Sequence, residues 1–526
     1  MEQWFRVATW AYLILPLALF FGRGLRPAGA VAVVAALVAA AAIEVRRGVP
    51  DGPAAPRFSA LGWVAALVPL GVVLAFSGVG GLGLAWDDWA KHNAILADLS
   101  EQPWPVAWEL GGERLALVYY LAYYVPAAVA GALAGWKAAN VALILWTLLG
   151  SALAVGWLVL LTRAAPLLCG LVFVLFGGMD GLAYVVTKGL GTVLSEAWRG
   201  GMWEWWAGWF LYPSNVELLF WVPQHAIGGW LGMALVLSAA GRGDARFPAI
   251  LVVAVAAFWS PLVAIGLAAL AWIPGVAGSR GTAEALRAQI GLPNAVGLGV
   301  GLLVALYYAS RWVSFELPLD MTTGLHAIPD GILPLALDLD AAGWMRFLRR
   351  WAGVCVLEFG ALAFAIALAR GGLRASRGFD WVWLASVGLL ILLPWFRYGY
   401  ANDLPMRASI PALYTLLVLA LAALRGWRTR PLGAALVATV LLVGSLTPLA
   451  QFQKKRALTA EGAWLRPPAR EDARDLFGVH RRYQEIGSGF EFVTQYIGAA
   501  DAPYFRWLAR PLEPRSIHPE RQQPPR

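Results

Sequence analysis

The stretch Trp86-Asp87-Asp88-Trp89-Ala90-Lys91-His92 sets two carboxylates, an ammonium group and an imidazole close together in the chain. If it is helical, Asp87 and Lys91 are four residues apart, and Asp88 precedes Lys91 and His92 by three and four. These side chains then share a face. Asp87 and Asp88 themselves point about 100° apart, so only one of them can aim squarely at a given cavity. A carboxylate beside a fixed cation stays ionised and can take a proton from a hydroxyl, as a general base does. The same pair can hold a hard divalent ion such as magnesium or manganese through its oxygens. The sequence leaves metal binding and a metal-free base equally open. The plainer alternative is an interfacial loop whose acids keep it in water.

A second group lies at Trp395-Phe396-Arg397-Tyr398-Gly399-Tyr400-Ala401-Asn402-Asp403-Leu404-Pro405-Met406-Arg407. Arg397 and Arg407 are placed to bracket a phosphate, because guanidinium presents a fork of donors. Asn402 and Asp403 are candidates for sugar hydroxyls, against the alternative of a short loop held by an Asp403–Arg407 pair. Gln224 and His225 fall just inside an apolar run, where polar groups are costly, and Asp180 follows Gly177-Gly178 in similar company. Trp198, Trp203, Trp205, Trp206 and Trp209 suit either sugar stacking or anchoring at the lipid headgroups.

These residues are carried by a chain with little charge. Of 526 residues only 14% are charged and 60% are hydrophobic. Mean hydropathy is +0.63. A soluble chain carries about 25% charged residues, so a soluble multidomain enzyme and a disordered chain are both excluded. The expected fold is all-α, a polytopic transmembrane helix bundle. Apolar runs of about 18 residues or more can each cross a bilayer. Such runs lie near 4–22, 28–45, 58–78, 116–136, 141–162, 167–186, 217–240, 248–277, 293–310, 350–370, 381–396, 408–425 and 431–449. Pro261 breaks the run at 248–277, so about 13 or 14 spans are expected. The Gly-broken stretch Phe176–Asp180 suggests a half-length or re-entrant segment. Residues 4–22 lack a positive leading region and a small-residue cleavage site, so they read as a retained span. Cys169 and Cys355 both lie in apolar runs and suggest no disulfide or metal site.

The net charge of +9 marks loops facing the cytoplasm, not a nucleic-acid surface. Basic connections occur at 46–57, 241–247, 279–292, 370–380 and 425–430. The acid-rich loops 79–115, 187–216, 311–345 and 397–407 then face outward. So does a polar tail at 451–526, whose last dozen residues are expected to be disordered. Residues 1–450 form the membrane domain. Arg23 and Arg26, in the first outward turn, go against the charge rule, as do Arg346, Arg349 and Arg350.

An acidic pair in the first large outward loop, an amphipathic segment after it, and then the Tyr-rich stretch Tyr119, Tyr120, Tyr123 and Tyr124 together resemble the GT-C fold glycosyltransferases. The resemblance implies transfer of a sugar from a polyprenyl-phosphate donor to a glycan, lipid or protein acceptor at the outer face of a membrane. It implies that Asp87 or Asp88 is the base, with Lys91, His92, Arg397 and Arg407 as candidates for the phosphate side. The setting expected is a bacterial inner membrane and the synthesis of envelope glycans. An extra hairpin at 4–45 departs from the family pattern, and the Trp-Trp-Asp type of motif is not clearly present. A transporter or lipid-linked glycan flippase is the competing class, expected to show related halves and charges at mid-membrane. The charge rule yields a first test. Cysteines placed at Ser100 and Ser488 should react with a membrane-impermeant reagent in intact cells; reaction only after permeabilisation would reverse the orientation.

Overall fold

In lipid a helix satisfies its own backbone hydrogen bonds, so apolar runs become helices and end where Pro or Gly interrupts them. The computed structural model describes residues 1–47, 59–83, 87–192, 203–208, 210–312, 333–334, 340–369, 377–398, 402–460, 475–479 and 495–517. It begins with the hairpin α1 (Glu2–Gly24) and α2 (Pro27–Arg46), then α3 (Ala60–Leu74), α4 (Asp87–Glu101), β1 (Ala107–Leu110) and β2 (Glu113–Leu117). Next come α5 (Val125–Ala134), α6 (Trp136–Thr162), α7 (Pro166–Val174), α8 (Asp180–Lys188), α9 (Asn215–Trp221) and α10 (Pro223–Arg242). The second half holds α11 (Ala249–Trp259), α12 (Pro261–Ala271), α13 (Leu292–Ala309) and α14 (Ala341–Ala369). It continues with α15 (Arg377–Leu392), α16 (Asp403–Ala408), α17 (Ile410–Arg425), α18 (Pro431–Gly444) and α19 (Leu446–Ala460). The chain is a helical, multi-pass membrane protein.

Among the described residues eight helices are long and apolar enough to cross a membrane, or nine if one bent pair counts as a span. That is fewer than the 13 or 14 expected, because several apolar runs are divided. The run 217–240 splits at Val222, ahead of Pro223. The run 248–277 splits at Ser260, whose extended backbone precedes Pro261, as the sequence suggested. The Gly177-Gly178 stretch separates two helices of nine residues each, α7 and α8. The run 116–136 is not a span over its first part. Its beginning is the end of β2, and only Val125–Ala134 is helical. The last candidate span continues to Thr459, past the expected boundary at 450.

The core joins the N-terminal hairpin to the bundle through aromatic side chains. Tyr12 stacks on Trp146 with ring centroids 3.8 Å apart, and its hydroxyl donates to the Trp146 carbonyl at 2.9 Å. Trp157 donates to the Thr9 hydroxyl at 2.8 Å and Trp259 to the Leu13 carbonyl at 3.1 Å. At the end carrying the basic connections, Arg242 pairs with Glu2 at 2.5 Å and Arg47 with Glu44 at 2.6 Å.

An all-α expectation omits one feature. β3 (Ile497–Ala499) and β4 (Arg515–Ser516), from the tail, complete a four-stranded sheet of order β3-β2-β1-β4 with the acidic loop. β3 is antiparallel to β2, with Ala116 opposite Gly498, and β4 is parallel to β1. Arg23 and Arg26, the exceptions to the charge rule, help anchor these parts. The Arg23 guanidinium lies 5.0 Å from the Trp104 ring centroid, and Arg26 donates to the Arg506 and Ala509 carbonyls.

Asp98 on α4 fastens another part of the tail. Its buried carboxylate accepts from the Leu476 N–H at 3.1 Å and from the Gln102 amide at 2.7 Å. Burial, followed by repulsion from Asp475, raises its pKa to about 7, against 3.8 in a free chain. The folded state therefore holds a proton that the unfolded state has released. This contribution to stability is full below the unfolded value and is lost as pH climbs through 7. The melting temperature of the detergent-solubilised protein should fall between pH 5 and 8, and Asp98→Asn should flatten that fall. Equal slopes in the two proteins would show that Asp98 titrates normally.

Candidate functional site

Ser77-Gly78-Val79-Gly80-Gly81 turns the chain tightly before α4, with Gly78 at φ 90° and its Cα facing the Trp89 ring. A side chain at Gly78 would collide with that indole, so glycine is required there. α4 starts at Asp87 and brings the anticipated face into being. Lys91 and His92 are buried, and Lys91 pairs with Asp88 at 2.9 Å. The side chain of Asp87 lies outside the described residues. Among the described residues no group of three or more His, Cys, Asp or Glu side chains is arranged to hold a metal ion.

α4 is fixed by the break at Val222. Trp89 donates its indole N–H to the Phe220 carbonyl at 2.9 Å, and His92 donates from Nε2 to the Trp221 carbonyl at 3.0 Å. The Tyr124 hydroxyl then donates to His92 Nδ1. These partners specify one neutral tautomer. Burial, and next the charge of Lys91, push the His92 pKa down to about 3. Bonded at both ring nitrogens, His92 ties α4 to the bundle.

Asp88 and Arg407 lie within electrostatic reach of each other. Burial by itself raises the Asp88 pKa. Lys91, His92 and Arg407, together with the Lys91 hydrogen bond, more than offset that and hold the carboxyl below its usual range. Arg407 pairs with Asp403 at 2.9 Å and donates to the Tyr120 hydroxyl at 3.4 Å. Burial opposes its charge, but Asp403, Tyr120, Tyr119 and Asp88 outweigh burial and keep it protonated. The Tyr120 ring lies 4.7 Å from the His225 ring. His225 shares a 2.7 Å hydrogen bond between Nδ1 and the Ser260 hydroxyl, while its Nε2 has no partner among the described residues. Both polar atoms of the buried Gln224 side chain also lack partners there. Buried polar groups are rarely left so, and they point to a ligand or water that completes them.

The structure thus gathers Asp88, Lys91, His225, Asp403 and Arg407 with the Tyr-rich stretch. Other expected members have structural partners of their own. Asn402, in the left-handed conformation at φ 54°, accepts from the Tyr398 N–H at 3.1 Å and closes the turn before α16. Arg397 lies on a two-residue strand, Phe396–Arg397, paired with Leu333–Pro334. Asp180 belongs to a different group, centred on Glu358. Of the tryptophans suited to headgroup anchoring or sugar stacking, Trp206 donates to Glu358 at 2.7 Å, Trp203 is buried and Trp205 is exposed; Trp198 and Trp209 lie outside the described residues.

Two residues were missed. Tyr496, from the tail, packs its ring 4.7 Å from that of Tyr119, within electrostatic reach of Asp88, Arg407 and Asp403. Arg311 acts on the same tyrosine, and its buried Nε has no partner among the described residues. Tyr496 carried no sequence signal, since only folding brings the tail here. Arg311, directly after an apolar span, was a recognisable helix-end cation. No family model matches the chain, and neither a curated protein nor a solved structure matches it significantly.

The arrangement separates structural from chemical roles in a way that can be measured. His92→Ala leaves a carbonyl and a hydroxyl unpaired, each worth about 1–3 kcal/mol. Asp88→Asn loosens an ion pair whose carboxylate is 34% exposed, worth about 1 kcal/mol or less. Thermal unfolding should show a large loss for His92→Ala and a small one for Asp88→Asn. Equal losses would remove the distinction.

Proposed function

We propose that the protein is an integral-membrane glycosyltransferase of the GT-C type, acting at the extracytoplasmic face of a bacterial inner membrane. It transfers a sugar from a polyprenyl-phosphate donor to an acceptor hydroxyl. What supports this reading is that Asp88, paired with Lys91, and Arg407, paired with Asp403 and bonded to Tyr120, lie within electrostatic reach of each other, with the His225 ring against Tyr120. In this reading Asp88 takes the proton of the acceptor hydroxyl. The hydroxyl oxygen bonds to the anomeric carbon as the bond from that carbon to the phosphate oxygen breaks. The leaving phosphate keeps the electron pair, and Arg407 and Lys91 stabilise its charge. Gln224 and His225 are the donors and acceptors available to sugar hydroxyls. Asp87 is the second carboxylate of this reading, proposed from the sequence for the acceptor or for a divalent ion.

A transporter or lipid-linked glycan flippase is the second reading, favoured by one observation: Glu358 and Asp180 are buried carboxylates within the helical bundle. Purified protein incubated with a panel of polyprenyl-phosphate sugars distinguishes the two. Under the transferase reading, Asp88→Asn lowers single-turnover transfer by about 10²–10⁴-fold with donor binding retained. Arg407→Ala weakens use of the donor by about 1.5–3 kcal/mol, one charge-assisted hydrogen bond. Movement of the lipid-linked sugar between vesicle leaflets with no transfer to any acceptor would select the flippase instead.

A further inference from the structure

A second polar centre lies away from Asp88 and does not depend on the transfer reading. Five elements converge on it: α8, the turn Trp203–Ala207, α9, α14 and α19. The middle of α14 widens into a π-turn, Cys355–Gly360, which carries Glu358. Such turns inside helices are frequent at functional sites. The Met179 N–H donates to the Leu357 carbonyl at 3.0 Å, setting the next residue of each segment, Asp180 and Glu358, side by side. Their carboxyl groups lie within hydrogen-bonding reach of each other. The Glu358 carboxylate also presses against Gly178, where no side chain fits. Trp206 donates to Glu358 Oε1, and the Thr447 hydroxyl accepts from the Gly181 N–H at 3.3 Å.

Both oxygens of Asp180 and Oε2 of Glu358, Glu204 and Glu217 have no hydrogen-bond partner among the described residues. All four carboxylates are buried. A separate observation comes from α19. Thr447, Gln451 and Lys455 recur every four residues and are all buried, so they line one face. That face meets Gly181 through Thr447 and Glu217 through Lys455. Gln451, between them, is 4% exposed and its Nε2 has no partner. Trp203 Nε1 is also unpartnered, with its ring against Gly181. Among the described residues, the charged and titratable groups acting on the centre include Asp180, Glu204, Glu217, Glu358 and Tyr212, opposed by Lys454 and Lys455.

We propose that Asp180 and Glu358 form a binding site for a single exchangeable proton within the bundle. Two carboxyl groups in hydrogen-bonding reach need one proton between them: one donates its O–H, the other accepts, and the pair carries one negative charge instead of two. Glu204 and Glu217 are placed to pass the proton on, and Lys455 balances the charge that remains.

Infrared spectroscopy of the full-length protein in lipid tests this directly. At neutral pH the wild type should show the C=O stretch of a protonated, buried carboxyl, shifted to lower frequency in D2O. Glu358→Gln keeps the volume and an acceptor for Trp206, and it should remove one carboxyl's worth of that band; Asp180→Asn should do the same. A wild type without the band at neutral pH overturns the proposal with no variant needed. So does an unchanged band in folded Glu358→Gln, and that variant decides if Asp180→Asn fails to fold. Loss of the wild-type band when sodium replaces potassium would make the pair a sodium site and would also overturn it.

Discussion

The helix break at Val222 is the constraint on which the site depends. Val222 leaves the helical conformation and its carbonyl takes the His225 N–H, so the i to i+4 ladder is broken and the carbonyls of Phe220 and Trp221 lose their helical donors. Inside a membrane protein such groups must find other partners. Trp89 and His92 supply them, and both belong to α4. The defect in one helix thereby fixes the position and rotation of another. Asp88 and Lys91 are aimed where they are because the neighbouring residues on α4 are occupied in repairing the bundle.

This explains what was legible in the sequence. The acidic stretch, its helical face and the Asp403–Arg407 pair are local features, set by spacings of three and four, and the structure has them. The breaks at Pro261 and at Gly177-Gly178 were also legible, because those residues punctuate helices whatever surrounds them. The two bonds that hold His92 in the bundle were not legible, because Tyr124 and Trp221 are remote from it in sequence. The run 116–136 was misread because apolarity does not distinguish a membrane helix from a strand buried under another strand. β2 is apolar at its end because β3 and α13 cover it, and β3 lies close to the end of the chain. Glu358 was overlooked although a lone carboxylate in an apolar run is itself a signal.

The two polar centres share α9. Its first turn carries Glu217, which faces Lys455, and its last carbonyls hold α4. A helix of seven residues spans about 10 Å, so the centres are neighbours joined by one rigid element. Lys455 also lies 5.7 Å from the ring of Phe220, the residue whose carbonyl receives Trp89. A change of charge at Glu217 therefore acts on an element that also positions Asp88, through contacts rather than through long-range fields.

The sheet has a consequence for how the molecule is made. Asp98 and Leu476 are joined across 378 residues of chain, and β1 waits for Arg515 and Ser516. The segments that fold from local contacts, α4 and the β1–β2 hairpin, leave the ribosome early with one sheet edge unpaired on each side. Closing so long a loop has an entropic penalty that grows only with the logarithm of its length, so distance is little obstacle to the final state. Timing is the greater difficulty. Until β3 and β4 are made, the hairpin exposes two edges, and exposed edges are where chains pair wrongly. Arg26, made long before them, bonds the Arg506 and Ala509 carbonyls, in the segment between those two strands.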